Sequence, residues 1–188
     1  MLVAIDGGSG SGKSTLAAAV AAELDAVVVP SDDFFAAGIT DAEWDALGPG
    51  ERAAAAIDWR RLRKDALEPL LTGSIASWHP FDFAAGTRAD GSYPMAAEAV
   101  TREPAPVILL EGAYSSRPEL ADLIDLAVLV DVPVDERHGR LLSREEKVFR
   151  EAWHARWDGA EDHYFTHVRP PSSFDLVVTN RLAGPASA

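Results

Sequence analysis

The chain has 188 residues, of which 47% are hydrophobic and 25% charged, which suits one globular domain with a substantial core. Its net charge of −13 disfavours broad nucleic-acid binding and attraction to anionic membranes, so we expect a small-molecule partner and leave a homo-oligomer open. With no cysteine, the sequence excludes disulfides and thiolate chemistry, and the lack of a signal-peptide pattern or membrane-length apolar run favours the cytoplasm.

A glycine-rich segment near the start matches the phosphate-binding loop pattern G-x-x-x-x-G-K-[ST]. It follows an apolar run at residues 2–5 that predicts a strand, and it precedes an Ala- and Leu-rich helical segment at residues 13–24. The alternative is a flexible Gly/Ser turn, but the strand–loop–helix order places backbone N–H groups at a helix N-terminus, which favours an anion. Lys13 would reach the β and γ phosphates and Ser14 would hold magnesium. The predicted nucleotide-binding residues are Gly7, Gly8, Ser9, Gly10, Ser11, Gly12, Lys13, Ser14 and Thr15.

Two aspartates, Asp32 and Asp33, follow the second predicted strand, which covers residues 26–29 and ends at Pro30. Strand C-termini line the ligand crevice of an open parallel sheet, and an aspartate there can take the proton of an acceptor hydroxyl. We expect one of the two to act as this base and the other to cap the next segment. Residues 36–51 then predict an irregular, mobile excursion, either a lid or a surface loop.

A helix is predicted over residues 60–71, with Asp58 as its N-cap and Gly73 as its end. Its leucines and alanines fall on one face. The basic residues at its start are expected on a solvated face; they are Arg60, Arg61, Arg63 and Lys64.

A short strand predicted at residues 75–78 leads into Phe81, Asp82, Phe83 and Arg88. Two aromatic rings around an aspartate, followed by an arginine, could stack on a ring and hydrogen-bond to sugar hydroxyls. They could equally form a turn whose aromatic side chains pack inward. The sequence leaves both interpretations open.

A fully apolar segment, residues 106–110, predicts a strand that ends at the acid Glu111. Many buried strands end in an acid by chance. Together with the phosphate-binding loop, however, the pattern indicates a carboxylate that orders magnesium beside the phosphates. Another buried strand is predicted over residues 126–132.

Three arginines, Arg137, Arg140 and Arg144, share one face of the helical pattern over residues 135–157. They can clamp a phosphate from above, or they can form a solvated face that Glu136, Glu145 and Glu146 neutralise. We favour the clamp.

Gly159 predicts a helix break, residues 174–178 a last strand, and residues 183–188 a frayed tail. The histidines do not cluster, so none is assigned to a metal.

In this order of motifs the chain resembles the uridine kinase and phosphoribulokinase branch of P-loop kinases. The resemblance implies a P-loop NTPase of the α/β class, with a doubly wound parallel sheet flanked by helices and a helical lid at roughly 134–158. The domain would span residues 1–182. ATP and magnesium are the implied cofactors, with Asp32 rather than Asp33 as the base. The implied catalytic residues are Asp32, Lys13, Arg140 and Arg144, and Arg137 would bind the nucleotide.

In the nucleoside pocket, the resemblance assigns acceptor binding to Asp32, Phe35, Phe81, Asp82 and Arg88. The sequence departs from the family there, because Gly86 stands where a histidine is usual and Phe35 where a tyrosine is usual. Both changes remove hydrogen-bonding groups, which suits a more apolar or larger acceptor than a pyrimidine nucleoside. From the resemblance as a whole we still expect a uridine kinase-like enzyme. The alternatives are a kinase of a sugar, vitamin precursor or antibiotic hydroxyl, and a regulatory ATPase.

Overall fold

A computed structural model describes residues 1–144 and 150–179, with side chains except at 144 and 150–155. Its strands are β1 (Leu2–Asp6), β2 (Ala26–Pro30), β3 (Ala76–Trp78), β4 (Val100–Arg102), β5 (Val107–Glu111), β6 (Leu126–Asp131) and β7 (Leu176–Thr179). Five of them form a parallel sheet in the order β2-β5-β1-β6-β7. The predicted strand at 75–78 forms as β3, but it pairs antiparallel with β4 outside that sheet.

The helices are α1 (Lys13–Glu23), α2 (Asp41–Ala46), α3 (Pro49–Ala55), α4 (Trp59–Leu62), α5 (Glu68–Leu71), α6 (Val134–Arg144) and α7 (Arg150–His163). A π-helical turn, Arg63–Leu67, joins α4 to α5, which confirms the predicted helix. As expected, the Asp58 carboxylate accepts from Arg61 N and Gly73 follows the helix with φ 76°. None of the described helices has the length and apolar character needed to cross a membrane.

Both faces of the parallel sheet are covered, which explains why β1 and β5 are almost entirely apolar. On one face, Leu2 and Leu110 pack with aromatic residues and the α4–α5 segment. On the other face, Ile5 and Val130 pack against Ala17 of α1. The predicted doubly wound sheet flanked by helices is therefore confirmed.

The expected irregular excursion at residues 36–51 is wrong, because α2 and α3 occupy much of it. Thr40 and Glu43 form a capping box at the start of α2, with Thr40 N donating to Glu43 Oε2 at 2.8 Å. Pro49 opens α3, and Trp44 is buried against the aromatic core. The sequence contains the Thr-x-x-Glu pattern of such a capping box, which indicates a helix start at this position despite the acidic composition of the segment.

The expected helix break at Gly159 is also wrong. Helix α7 continues through Gly159 to His163, and the π-helical turn Tyr164–Val168 extends it. Gly159 itself is exposed, while Ala160, Glu161 and Tyr164 are buried. Burial of these neighbours outweighs the cost of about 1 kcal/mol for glycine in a helix. The predicted tail at 183–188 and the glutamates Glu145 and Glu146 lie outside the described residues.

Candidate active site

The phosphate-binding loop connects β1 to α1 and packs tightly on its neighbours. Gly10 and Gly12 have φ values of 80° and 96°, which side chains disfavour. A Cβ at Gly7 would lie 2.6 Å from the carbonyl oxygen of Val130 in β6. Gly12 is the N-cap of α1 and has no side-chain cap. The loop therefore presents N–H groups of a helix N-terminus, as an anion site requires.

Lys13 is buried, and its Nζ donates to Gly8 O at 3.1 Å, which places the ammonium group across the loop. Ser14 Oγ donates to Glu111 Oε2, also at 3.1 Å, so the two predicted metal ligands meet although they are 97 positions apart. Parallel strands β1 and β5 pair in register, and this alignment brings the loop and Glu111 to one edge of the sheet.

The electrostatics around Glu111 suit a divalent cation. Burial raises the pKa of its carboxyl group, and the charge of Asp32 raises it further, while Lys13 and Ser14 lower it. A cation between these carboxylates would relieve both penalties. The described residues contain no cluster of three or more His, Cys, Asp or Glu side chains suited to a metal. Magnesium fits such a sparse site, because it usually retains water and phosphate oxygens as ligands.

Asp32 lies in the 3₁₀ turn Ser31–Phe34, directly after β2. Asp32 is exposed, at the edge of the sheet where β2 and β5 end beside the phosphate-binding loop; we call this edge the cleft. Desolvation by the surrounding protein raises the pKa of the carboxyl group; Lys13 opposes the shift, and Asp33 and Glu161 reinforce it. The turn approaches β5 closely, since a Cβ on Gly112 would lie 3.5 Å from Asp32 Oδ1.

Asp33 points away from this cleft and has a structural role. Its Oδ2 accepts from Trp78 Nε1 at 2.8 Å, and its carbonyl oxygen accepts from Arg61 Nη2 at 2.9 Å. We expected one of the two aspartates to cap the following segment. Asp33 does not cap it, because its carboxylate accepts from Trp78 instead. The expectation that Arg61 lies on a solvated face is also wrong, because its guanidinium group donates to His79 O as well.

An aromatic cluster lies beside the cleft; its members are Phe35, Trp44, Phe81 and Trp157. The rings of Phe35 and Phe81 are 5.0 Å apart, and Phe35 also contacts Trp157 at 5.3 Å. Phe83 is 56% exposed and stacks on Phe81 at 4.5 Å. The inward-packed interpretation is therefore confirmed for Phe81, while Phe83 presents a ring to solvent.

In the described part of the chain, the hydrogen bonds of Asp82 and Arg88 go to residues outside this cluster. Asp82 Oδ1 accepts from the N–H groups of Ala84 and Ala85, which stabilises a turn. Arg88 is exposed, and its N–H donates to Ser92 O. Apart from Gly86 itself and its two chain neighbours, no described residue has an atom within 4 Å of the position a Cβ would take on Gly86. The acceptor-binding roles of Asp82 and Arg88 stay predictions.

Two of the three clamp arginines lie over the phosphate-binding loop. Arg137 Nη1 donates to Ser9 O at 2.9 Å, and Arg140 Nη1 donates to Ser11 O at 3.1 Å. Arg140 Nη2 also pairs with Glu136 Oε2 at 3.7 Å, so the phosphate clamp stays a prediction. Arg144 is the last residue of α6, and its side chain lies outside the described part of the chain.

Asp6 was missed by the sequence reasoning. It ends β1, is fully buried, and accepts from the N–H groups of Gly7, Tyr114 and Ser116. The hydroxyls of Ser116 and Tyr164 donate to its Oδ2 at 2.6 and 2.9 Å. The signal was an acid at the end of an apolar strand, the same pattern that identified Glu111.

Glu161 of α7 was also missed. It is buried, and its Oε1 accepts from the backbone N–H of Ser9 at 2.9 Å and from the Ser9 hydroxyl. Its Oε2 accepts from Arg137 Nη1 at 3.0 Å. No local pattern marks this residue, because its partner in the loop is 152 positions away.

A family model described as an AAA domain matches residues 2–164, from β1 to the end of α7. The chain belongs to this AAA domain family. Curated proteins similar to this AAA domain include a uridine kinase of Borrelia turicatae, 30% identical over 145 residues, and one of Borrelia duttonii, 29% identical. Each match covers 77% of this chain and 66% of the relative, so the chain spans about two thirds of their length.

Solved structures similar to this AAA domain confirm the P-loop α/β fold. A proposed fructose transport system kinase from Silicibacter sp. is 26% identical with a TM-score of 0.64, covering 95% of this chain and 89% of the other. A possible uridine kinase from Bacillus stearothermophilus is 20% identical with a TM-score of 0.61, covering 94% and 87%. With the curated matches, they confirm the resemblance to uridine kinases and related P-loop kinases.

Proposed function

We propose that this protein is an ATP- and magnesium-dependent kinase that transfers the γ-phosphoryl group to a hydroxyl of a small molecule. The observation that carries the proposal is the position of Asp32, an exposed carboxylate directly after β2 whose Oδ1 lies 3.5 Å from the position a Cβ would take on Gly112, the residue after Glu111. A transfer to a hydroxyl needs a base beside the phosphates, whereas binding of a nucleotide alone does not. The names of the similar proteins, kinases of uridine and proposed kinases of fructose transport, also support it.

The chain's own groups account for the transfer. The acceptor hydroxyl gives its proton to the Asp32 carboxylate, and its oxygen forms a bond to the γ phosphorus while the bond to the β–γ bridging oxygen breaks. Lys13, the loop N–H groups and Arg140 stabilise the charge on the transferring group and on the departing ADP. Arg144 shares that role and Arg137 binds the nucleotide, with residues 134–158 as the lid. Ser14 and Glu111 would hold magnesium, which when bound neutralises charge between the β and γ phosphates.

We infer that the acceptor lies between Asp32 and the aromatic cluster. The exposed ring of Phe83, which packs on Phe35 and Phe81, offers an apolar surface, and Asp82 and Arg88 are the proposed polar contacts of the acceptor. The open space at Gly86 and the missing tyrosine hydroxyl at Phe35 disfavour a close fit to a pyrimidine edge. A uridine-like nucleoside remains the reference acceptor, and sugars, vitamin precursors and aromatic natural products are its rivals.

Acceptor-dependent turnover tests the proposal. Purified protein is given ATP and magnesium with a panel of nucleosides, sugars, sugar acids and aromatic alcohols, and ADP formation is measured. We expect at least one acceptor to raise the rate about tenfold or more over ATP alone, with the new phosphate ester found by mass spectrometry. Lys13→Ala serves as the control and should lack this activity. Hydrolysis at the same rate with every acceptor and with none would instead indicate a regulatory ATPase.

The activity should fall in acid as Asp32 becomes protonated. Because desolvation raises the pKa of Asp32, the acidic limb of kcat/KM should lie above the ordinary aspartate value of 3.8. Below that limb the protonated carboxyl cannot accept the hydroxyl proton; above it the rate should reach a plateau. ATP affinity measured over the same range separates this effect from titration of Glu111. A limb at or below 3.8 would contradict a desolvated base.

A further inference from the structure

The transfer proposed above uses no part of Glu161, yet this carboxylate touches the phosphate-binding loop. Its side chain is 4% exposed and forms an ion pair with Arg137. Both of its oxygens accept hydrogen bonds from protein donors, one set from Ser9 and one from Arg137. A buried carboxylate with this many partners holds those partners in place, because moving any one of them leaves a charge unpaired.

Hydrogen bonds in the described part of the chain hold Arg137 at one guanidinium nitrogen, Nη1. Its Nη1 donates to Ser9 O and to Glu161 Oε2, which uses both hydrogens of that nitrogen. Among the described backbone and side-chain atoms, which exclude the side chains of 144 and 150–155, no hydrogen bond engages its Nε or Nη2. These two nitrogens carry three further N–H donors in a fixed plane, so anchoring Nη1 also determines where they point.

Helix α7 gives Glu161 a rigid support. Trp157, Glu161 and Tyr164 follow the spacing of one helical face, and all three are buried. Trp157 packs on Phe35 and Trp44 at 5.3 and 5.0 Å. Tyr164 donates its hydroxyl to Asp6, the residue that ends β1 just before the loop. The carboxylate between them therefore has a defined position relative to the phosphate-binding loop.

We propose that Glu161 is a positioning residue for nucleotide binding: it anchors Arg137 Nη1 and Ser9 so that the remaining donors of Arg137 face the phosphates. The inference rests on the proposed function in taking the nucleotide to be ATP, but it concerns binding, which precedes transfer. An arginine already held in its binding geometry loses less conformational freedom when the phosphate arrives. Glu161 thus strengthens ATP binding through Arg137 without touching ATP itself.

Calorimetric titration with ATP, without acceptor, tests this role in four proteins: the parent, Glu161→Gln, Arg137→Ala and the double variant. A glutamine can still accept from Ser9 N–H, but its amide group cannot serve both Ser9 and Arg137. We expect Glu161→Gln to weaken ATP binding about tenfold, the value of one hydrogen bond to a charged group. In the Arg137→Ala background, the same substitution should change the affinity less than about twofold.

The matched control is Asp162→Asn, which removes an exposed negative charge one position along the same helix and should leave ATP affinity unchanged. Glu161→Asp is a second variant in case Glu161→Gln folds poorly. It keeps the charge but draws the carboxylate back from Ser9 and Arg137, so ATP binding should weaken in the parent but not in the Arg137→Ala background. Thermal melting of each variant identifies any loss of fold.

Unchanged ATP binding by a folded Glu161→Gln protein would overturn the proposal, because it would show that the carboxylate does not contribute. Tighter binding would also overturn it, because it would mean that the carboxylate repels the phosphates. Equal losses in the parent and Arg137→Ala backgrounds would also overturn it, because they would show an effect independent of Arg137. The expected affinities combined with no phosphorylated acceptor would support the role of Glu161 while refuting the kinase. The two proposals therefore fail separately.

Discussion

Asp32→Asn should lower the rate of phosphoryl transfer by about a hundredfold to ten-thousandfold, the usual contribution of a positioned general base. Asparagine has nearly the same shape but cannot accept the proton of the acceptor hydroxyl. ATP binding should stay within about twofold of the parent, because Lys13 and the loop N–H groups hold the phosphates. Initial rates with the best acceptor, together with calorimetric ATP titration, measure the two effects separately.

The stability of this variant provides an internal check. Asp32 is exposed, so water screens its charge and its contribution to the free energy of folding is small. Asp32→Asn should therefore melt at nearly the same temperature as the parent. Asp33→Asn is the matched control, since it alters the neighbouring carboxylate that binds Trp78 and should retain most of the turnover. Normal turnover by a folded Asp32→Asn protein would remove Asp32 from the mechanism.

The parts of the site that the sequence predicted are those whose signal is local. The phosphate-binding loop is a contiguous pattern, and Glu111 ends an apolar run that had to be a central strand. Once both strands belong to one parallel sheet, their C-terminal ends meet at the same edge. The Ser14–Glu111 contact follows from that topology, although no local feature of either residue shows it.

The features that the sequence could not predict depend on contacts between residues that are far apart in the chain. Glu161 has no local motif, and its role follows only from the packing of α7 beside the loop. Arg61 belongs to a run of basic residues that usually faces solvent, but it lies near carbonyl oxygens of Asp33 and His79. Composition predicts the average environment of such residues, and tertiary contacts determine the exception.

Asp6→Asn should lower the free energy of unfolding by about 2–4 kcal/mol, because one or two buried donors lose their acceptor at about 1–3 kcal/mol each. Oδ1 of Asp6 accepts from Gly7 N and Tyr114 N, while Oδ2 accepts from two groups of Ser116 and from Tyr164. Burial raises the pKa of this carboxyl group, and these donors oppose the shift by stabilising its charge. In asparagine, an amide nitrogen at the Oδ1 position would face the N–H groups of Gly7 and Tyr114, and one at the Oδ2 position would face the N–H group of Ser116, so at least one backbone donor loses its acceptor.

The same substitution should also weaken ATP binding, because Asp6 connects three segments that shape the phosphate-binding loop. These are the loop itself at Gly7, the segment after β5 at Tyr114, and the end of α7 at Tyr164. Tyr164→Phe is the graded control: it removes one hydrogen bond and should cost about 1–3 kcal/mol. Urea unfolding measures the stabilities, and ATP titration well below the melting temperature measures the binding. A loss below about 1 kcal/mol for Asp6→Asn would show that the carboxylate charge is not what joins these segments.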